Sequence, residues 1–155
     1  GALRIWKWQD EQTGRRCVFV NAFAANDVES TRAVLESSLG VLKPGFRVVG
    51  VLNLRGDRGE RTLQWIHALQ ADPSGFSGRF SALYAVGLHA GVVRRRLAGA
   101  GVPCALSSEK TPKELVERIL VENPGDVCMV GLGNIAGLGT EFVKYCGERG
   151  CPYES

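Results

Sequence analysis

An α/β domain with a doubly wound, mostly parallel sheet is predicted by three features of this chain. Apolar runs of strand length alternate with amphipathic stretches of helix length, so the connections are crossovers and helices cover both sheet faces. The run Cys17-Val18-Phe19-Val20 is apolar throughout, as a strand buried on both faces requires. Helix-start signals stand between the strands, most clearly Thr111-Pro112-Lys113-Glu114, with a cap, a first-turn proline and an acid at the third position.

The elements follow in order. Leu3 to Trp8 alternates as a half-buried strand, Gln9 to Arg15 turns the chain at Gly14, and Cys17 to Val20 pairs back antiparallel. A helix opens at Asn26 or Asp27, with Asn26 and Glu29 spaced as a capping box. Arg47 to Leu54 is the next strand. Its helix places Leu63, Ile66 and Leu69 on one face and has Asp57 and Glu60 spaced as a second box. Phe80 to Val86 is a strand, followed by a helix through Val92, Val93 and Leu97. Val102 to Leu106 is short and contains Pro103, which suits an edge. After the helix at Thr111 come a last strand, Asp126 to Gly131, and a last helix from Ile135 to Cys146 that ends near Gly147. Cys17 to Val20 is expected to be central in the sheet, its loop close to the one that follows Asn53.

At 155 residues the chain is one domain, and its 45% apolar content supports a core without metal or disulfide staples. It opens on Gly1 and its one methionine is Met129, so it is expected to be a piece of a longer protein. A net charge of +3 is too small for a nucleic-acid footprint. Of the 19 basic residues 14 are arginine, and most are expected to be solvated surface, including the run Arg94-Arg95-Arg96. Cys17, Cys104, Cys128, Cys146 and Cys151 lack metal-ligand spacing and fit a reducing, cytoplasmic compartment; no metal site is expected. His67 is expected to be structural among apolar neighbours, and His89, at a strand end, is a minor site candidate.

Ligands of such sheets bind outside the carboxyl ends of the strands, which points to the loops there. The first, Asn21-Ala22-Phe23-Ala24-Ala25-Asn26-Asp27 with Ser30 beyond it, sets small and polar residues at a helix N-terminus. It suits either an anion or mere helix capping. The second, Leu54-Arg55-Gly56-Asp57-Arg58-Gly59-Glu60-Arg61-Thr62, is the densest charge cluster in the chain. Its arginines can clamp phosphate or carboxylate, with the acids orienting them or helping to hold Mg²⁺; a salt-bridged surface turn is the other reading. The third, Gly131-Leu132-Gly133-Asn134-Ile135-Ala136-Gly137-Leu138-Gly139, has the outline of a dinucleotide fingerprint. It lies on the last strand with no ribose-binding acid after it, so tight turning and close helix packing account better for its glycines. No Gly-x4-Gly-Lys-Ser/Thr loop is present.

Together, the stretch Val18 to Asp27 with Ser30-Thr31, then Asn53 to Thr62, then Gly131 to Gly137, resembles the C-terminal domain of the poly-γ-glutamate synthase ligase subunit of capsule biosynthesis. That family is related to the Mur ligases of peptidoglycan synthesis. The resemblance covers nearly the whole chain and implies a Rossmann-like fold of the Mur ligase C-terminal-domain type, residues 1–155 forming one domain of a longer ligase. It implies an ATP-dependent carboxylate–amine ligase that joins glutamate through γ-amide bonds by way of an acyl phosphate. ATP and Mg²⁺ would be bound mainly by a central domain outside this chain, and the chain alone would be inactive. The chain departs from the Mur pattern at Asn21, at Asp27 and at Gly131-Leu132-Gly133-Asn134, so the poly-γ-glutamate branch fits better.

The resulting assignment gives Arg58 and Asp57 catalytic roles and places Arg55, Arg58, Arg61, Gly133 and Asn134 on substrate. Asn21, Phe23, Asn26, Asp27 and Ser30 would face the nucleotide. Expected partners are glutamate or poly-γ-glutamate, the ligase's own central domain and membrane subunits of a synthase at the inner face of the membrane, with no nucleic acid. Two other readings stand beside it: a stand-alone dinucleotide-binding domain, and a non-catalytic interaction module of a membrane-bound polymer synthase.

Overall fold

The computed structural model describes residues 5–23, 25, 27–54, 59–72 and 75–153. Strand β1 (Ile5–Gln9) turns into β2 (Arg16–Asn21), followed by α1 (Val28–Val41), β3 (Arg47–Leu54) and α2 (Gly59–Ala71). A 3-10 turn, Ser77–Arg79, leads to β4 (Ala82–Gly87), α3 (Ala90–Gly99) and β5 (Ala105–Leu106). Then come α4 (Pro112–Glu122), β6 (Val127–Gly133), α5 (Leu138–Arg149) and β7 (Cys151–Pro152). The sheet has seven strands in the order β5-β4-β3-β6-β2-β1-β7. The five strands from β5 to β2 are parallel, while β1 runs antiparallel to both β2 and β7.

The predicted architecture is present, with β3 at the expected bounds and β5 at an edge. The strand period of two divides the core. Val18, Val20, Leu52, Cys128 and Val130 face one layer with Leu35 of α1, Ile66 and Leu69 of α2, and Val93 and Leu97 of α3. Cys17, Phe19, Val49, Val51, Val127 and Met129 face the other with Leu115 and Ile119 of α4 and Phe142 and Cys146 of α5. In that second layer the Phe19 ring stacks with Trp6 at 5.8 Å and tilts against Phe142 at 5.1 Å. Such aromatic contacts add to the burial energy.

Several details differ from expectation. The central strand is β6, not β2: the α4 crossover returns the chain into the gap between β2 and β3, leaving β2 in the interior one place aside. On α2 the buried stripe is Thr62, Trp65, Ile66 and Leu69, while Leu63 is 48% exposed and His67 is exposed rather than packed among apolar groups. On α3, Val92 points outward and Val93 inward. Helix α1 is capped by Asp27, whose carboxylate accepts the Ser30 amide at 2.7 Å, and Glu29 contacts Arg32 instead of reaching back. Asn26 and Asp57, proposed in capping boxes, lie outside the described residues. The last helix starts three residues later than expected and passes Gly147 to end at Arg149, with Gly150 as its cap, so that Cys151-Pro152 can add the unforeseen strand β7.

Most of the described arginines are exposed, as expected, and Arg15 is an exception. Its guanidinium donates to Gly125 O and Leu120 O at 2.6 Å each and to Asn123 O, satisfying carbonyls that the end of α4 leaves open. Arg15→Ala is expected to cost about 2 kcal/mol and lower Tm by roughly 4–8 °C in a thermal melt. Arg15→Lys should recover less than half of that, since an ammonium cannot span the three acceptors as a planar fork does.

All five cysteines are free thiols, and Cys17, Cys128 and Cys146 are buried. Burial pushes the Cys17 thiol up to about 11 and that of Cys128 to about 12, which keeps both protonated and inert. Among the described residues no helix is long and apolar enough to cross a membrane.

Candidate functional site

The switch point of the sheet lies around β6. Strands β2 and β3 feed α1 and α2 on one face, and β6, between them, feeds α5 on the other. Their loops therefore part over the carboxyl ends of the strands and leave a crevice, the usual ligand position in this architecture. A pocket occupies it. One wall is Phe23 and Ala25 of the loop after β2; another is Asn53 and Leu54 at the end of β3 with Arg61, Thr62 and Trp65 of α2. Gly133, Asn134 and Ile135 close it from β6. The pocket encloses about 80 Å³, which suits one end of a ligand and not a whole nucleotide.

Tight packing fixes the walls. The Phe23 ring lies across the backbone of Gly131: a Cβ there would come within 2.4 Å of the ring. Gly133 has a φ of +85°, and its Cβ would approach the Asn53 carbonyl oxygen to 2.5 Å. Both glycines are inside β6 rather than in a phosphate-binding turn, so close approach explains them better than a dinucleotide does. Beyond them Asn53 binds the loop directly. Its Nδ2 donates to Asn134 O at 2.7 Å and to Ala136 O at 2.8 Å, and its own carbonyl accepts the Asn134 amide at 2.8 Å.

The first loop divides into two roles. Phe23 is a buried pocket wall. Asn21 ends β2 beside Gly131, with its Oδ1 buried and unpartnered among the described residues. Asp27 and Ser30 do not line the pocket; they cap α1. The Asp27 carboxylate takes the Ser30 amide at 2.7 Å and the Ser30 hydroxyl at 3.0 Å. These bonds hold its carboxyl below the ordinary carboxylate range, and the charge of Arg61 adds to the effect. The cap is thus complete above the ordinary Asp pKa and is lost as pH falls through the lowered one.

Of the expected substrate residues, Arg61, Gly133 and Asn134 come together here. Arg55, Asp57 and Arg58, like Asn26, lie outside the described residues. His89 stands at the N-cap of α3, away from the pocket lining. Sequence reasoning assigned no role to Asn53, Thr62, Trp65 or Ile135. For Asn53 a signal existed, as one amide inside the apolar run Val-Val-Gly-Val-Leu-Asn-Leu. Trp65 is legible once Thr62, Trp65, Ile66 and Leu69 are taken as the buried stripe. Among the described residues no three His, Cys, Asp or Glu side chains are grouped to hold a metal ion.

The site can present a cation, hydroxyl and amide groups, and aromatic walls to a small anionic group. No curated protein sequence matches the chain. Among solved structures, it is similar to a domain of Haemophilus ducreyi 35000HP named as a candidate UDP-N-acetylmuramate:L-alanyl-gamma-D-glutamyl-meso-diaminopimelate ligase. The TM-score is 0.47 at 15% identity, over 84% of this chain and 92% of that one. The model of the poly-gamma-glutamate synthase CapB C-terminal domain matches residues 7–149 and so takes in all three site loops. The chain belongs to the poly-gamma-glutamate synthase CapB C-terminal domain family.

Proposed function

We propose that this domain is the mobile C-terminal part of an ATP-dependent amide ligase that extends glutamate chains through γ-amide bonds. What carries the reading is the meeting of the three family motifs in one crevice, where Arg61, Thr62 and Asn134 surround a pocket of carboxylate or phosphate size. In such a reaction a carboxylate is activated as an acyl phosphate and an amine displaces the phosphate. ATP supplies the phosphoryl group. Positioned cations and dipoles that match the developing charge are the principal protein contribution to this chemistry.

Arg61 would hold substrate carboxylate or phosphate against the site. Arg55 and Arg58 would join it, and Asp57 would orient them. Gly133 and Asn134 would shape the substrate side, and the loop from Asn21 to Ser30 would face the nucleotide. ATP with Mg²⁺ would be bound mainly by a central domain of the same ligase, with the small pocket here meeting one end of a ligand. Glutamate or its polymer would be the substrate, and membrane subunits of the synthase would hold the assembly at the inner face of the membrane.

The test uses purified full-length ligase, glutamate, ATP and Mg²⁺, with product read by mass spectrometry and ADP by a coupled assay. Full-length protein is expected to give γ-glutamyl amides with one ADP per bond, and the 155-residue chain none. Amide formation by the 155-residue chain alone defeats the two-domain reading; ATP-independent or absent ligation by the full-length protein defeats the ligase reading.

A further inference from the structure

We propose that Asn53 is a positioning residue, whose carboxamide pins the loop from Gly133 to Gly137 to the end of β3 and holds the pocket in its binding shape. The ligand side of this inference rests on the ligase reading above; the pin rests on geometry. Asn53 is 5% exposed, and both Nδ2 protons are used, one on Asn134 O at 2.7 Å and one on Ala136 O at 2.8 Å. The loop folds around that amide: Asn134 Oδ1 accepts the Ala136 amide at 2.7 Å, turning both carbonyls inward.

Among the described residues the other direct tie of this loop to β3 is the backbone bond from the Asn134 amide to the Asn53 carbonyl oxygen at 2.8 Å, at the loop's first residue. Ile135 is 40% exposed and offers no core anchor. Thr140 donates to Ile135 O at 2.9 Å, but this joins the loop to its own helix. Gly137 caps α5 without a side-chain bond. Beyond Asn134, the Asn53 side chain is therefore the contact among the described residues that carries the link from the β3 wall to the β6 wall as far as Ala136. A carboxamide is required at this point, since an aspartate would turn acceptors toward two carbonyl oxygens and an alanine would deprive both of this donor.

Releasing the pin makes the binding-competent loop a fraction of the population. A ligand that selects the pinned form then binds more weakly by that fraction, yet saturating ligand restores the full complement. The signature is a raised KM with kcat kept. Loss of folded protein would instead lower kcat at constant KM.

The test has two arms. In the 155-residue chain, Asn53→Asp is expected to speed hydrogen exchange at the Asn134 and Ala136 amides about tenfold while the Met129 and Val130 amides of β6 keep their protection. Asn53→Ala, which introduces no charge, provides the same comparison if the aspartate chain does not fold. In full-length ligase either variant is expected to raise KM for the substrate that enters this pocket about tenfold with kcat within twofold. Unchanged exchange at Asn134 and Ala136 overturns the pin. Faster exchange with unaltered KM, or a fall in kcat at constant KM, overturns the positioning role. Wild-type full-length protein that makes no γ-amide refutes the ligase reading instead, and the exchange arm still decides whether Asn53 holds the loop.

Discussion

Arg61→Ala in the full-length ligase is expected to reduce ligation on the order of a hundredfold, as for loss of one charge-stabilising donor, with Tm nearly unchanged. Arg61 is in the first turn of α2, where the helix dipole disfavours a cation. A residue that works locally against its helix is better explained by what it binds than by what it folds. It is exposed and lines the pocket, and its charge reaches the carboxylate of Asp27. Attraction between exposed charges is screened by solvent, so its loss moves stability little. Thermal melts and ligation rates on the same preparations separate the two roles. Near-normal turnover by a stably folded Arg61→Ala enzyme would leave Arg61 a surface cation.

Gly133→Ala is expected to act in the opposite way, as a stability change first. The φ of +85° is one that L side chains rarely adopt, and the added Cβ would meet the Asn53 backbone oxygen at 2.5 Å and Leu52 Cδ1 at 3.2 Å. That oxygen belongs to the backbone of the neighbouring strand and cannot rotate aside, so β6 must shift against β3. Strain and displacement together should cost about 3 kcal/mol and lower Tm by roughly 6–12 °C. Gly59→Ala is the control, because nothing lies within 4 Å of a Cβ there and φ is unrestrictive. Equal melting of the two variants would show that β6 has slack at the pocket floor.

Together these substitutions separate the chemistry of the site from its construction. Arg61 contributes a charge and little packing; Gly133 contributes clearance and no functional group. Asn53 stands between them, since it folds the loop and through the loop fixes where Asn134 lies.

The alternation of periods determined the architecture in advance. Cys17 to Val20 and Arg47 to Leu54 are strands because both faces are apolar, and a parallel sheet needs exactly such strands between helices. The cap at Thr111 was legible because its geometry is local: the Thr111 hydroxyl accepts the Glu114 amide at 3.2 Å. The loops that form the site were also marked, since ligand positions in this architecture follow from strand direction alone. The placement of β6 between β2 and β3 was not legible, because strand order depends on how α4 recrosses the sheet and not on the residues of β6. For the same reason the meeting of Phe23, Arg61 and Asn134 could be expected as proximity but not as a pocket. Asp27 was named for a nucleotide and caps α1 with Ser30; the sequence allows both uses of a carboxylate at a helix start. The role of Arg15 was not legible because its three acceptors come from Leu120, Asn123 and Gly125, more than a hundred residues away. The sequence by itself determined which segments are strands, which are helices and which loops lie at the carboxyl end, because periodicity and capping act over a few residues. Only the tertiary structure decided that Asn53 spans from β3 to the β6 loop and that glycine is needed at 131 and 133, because those requirements are set by atoms the fold brings together from distant parts of the chain.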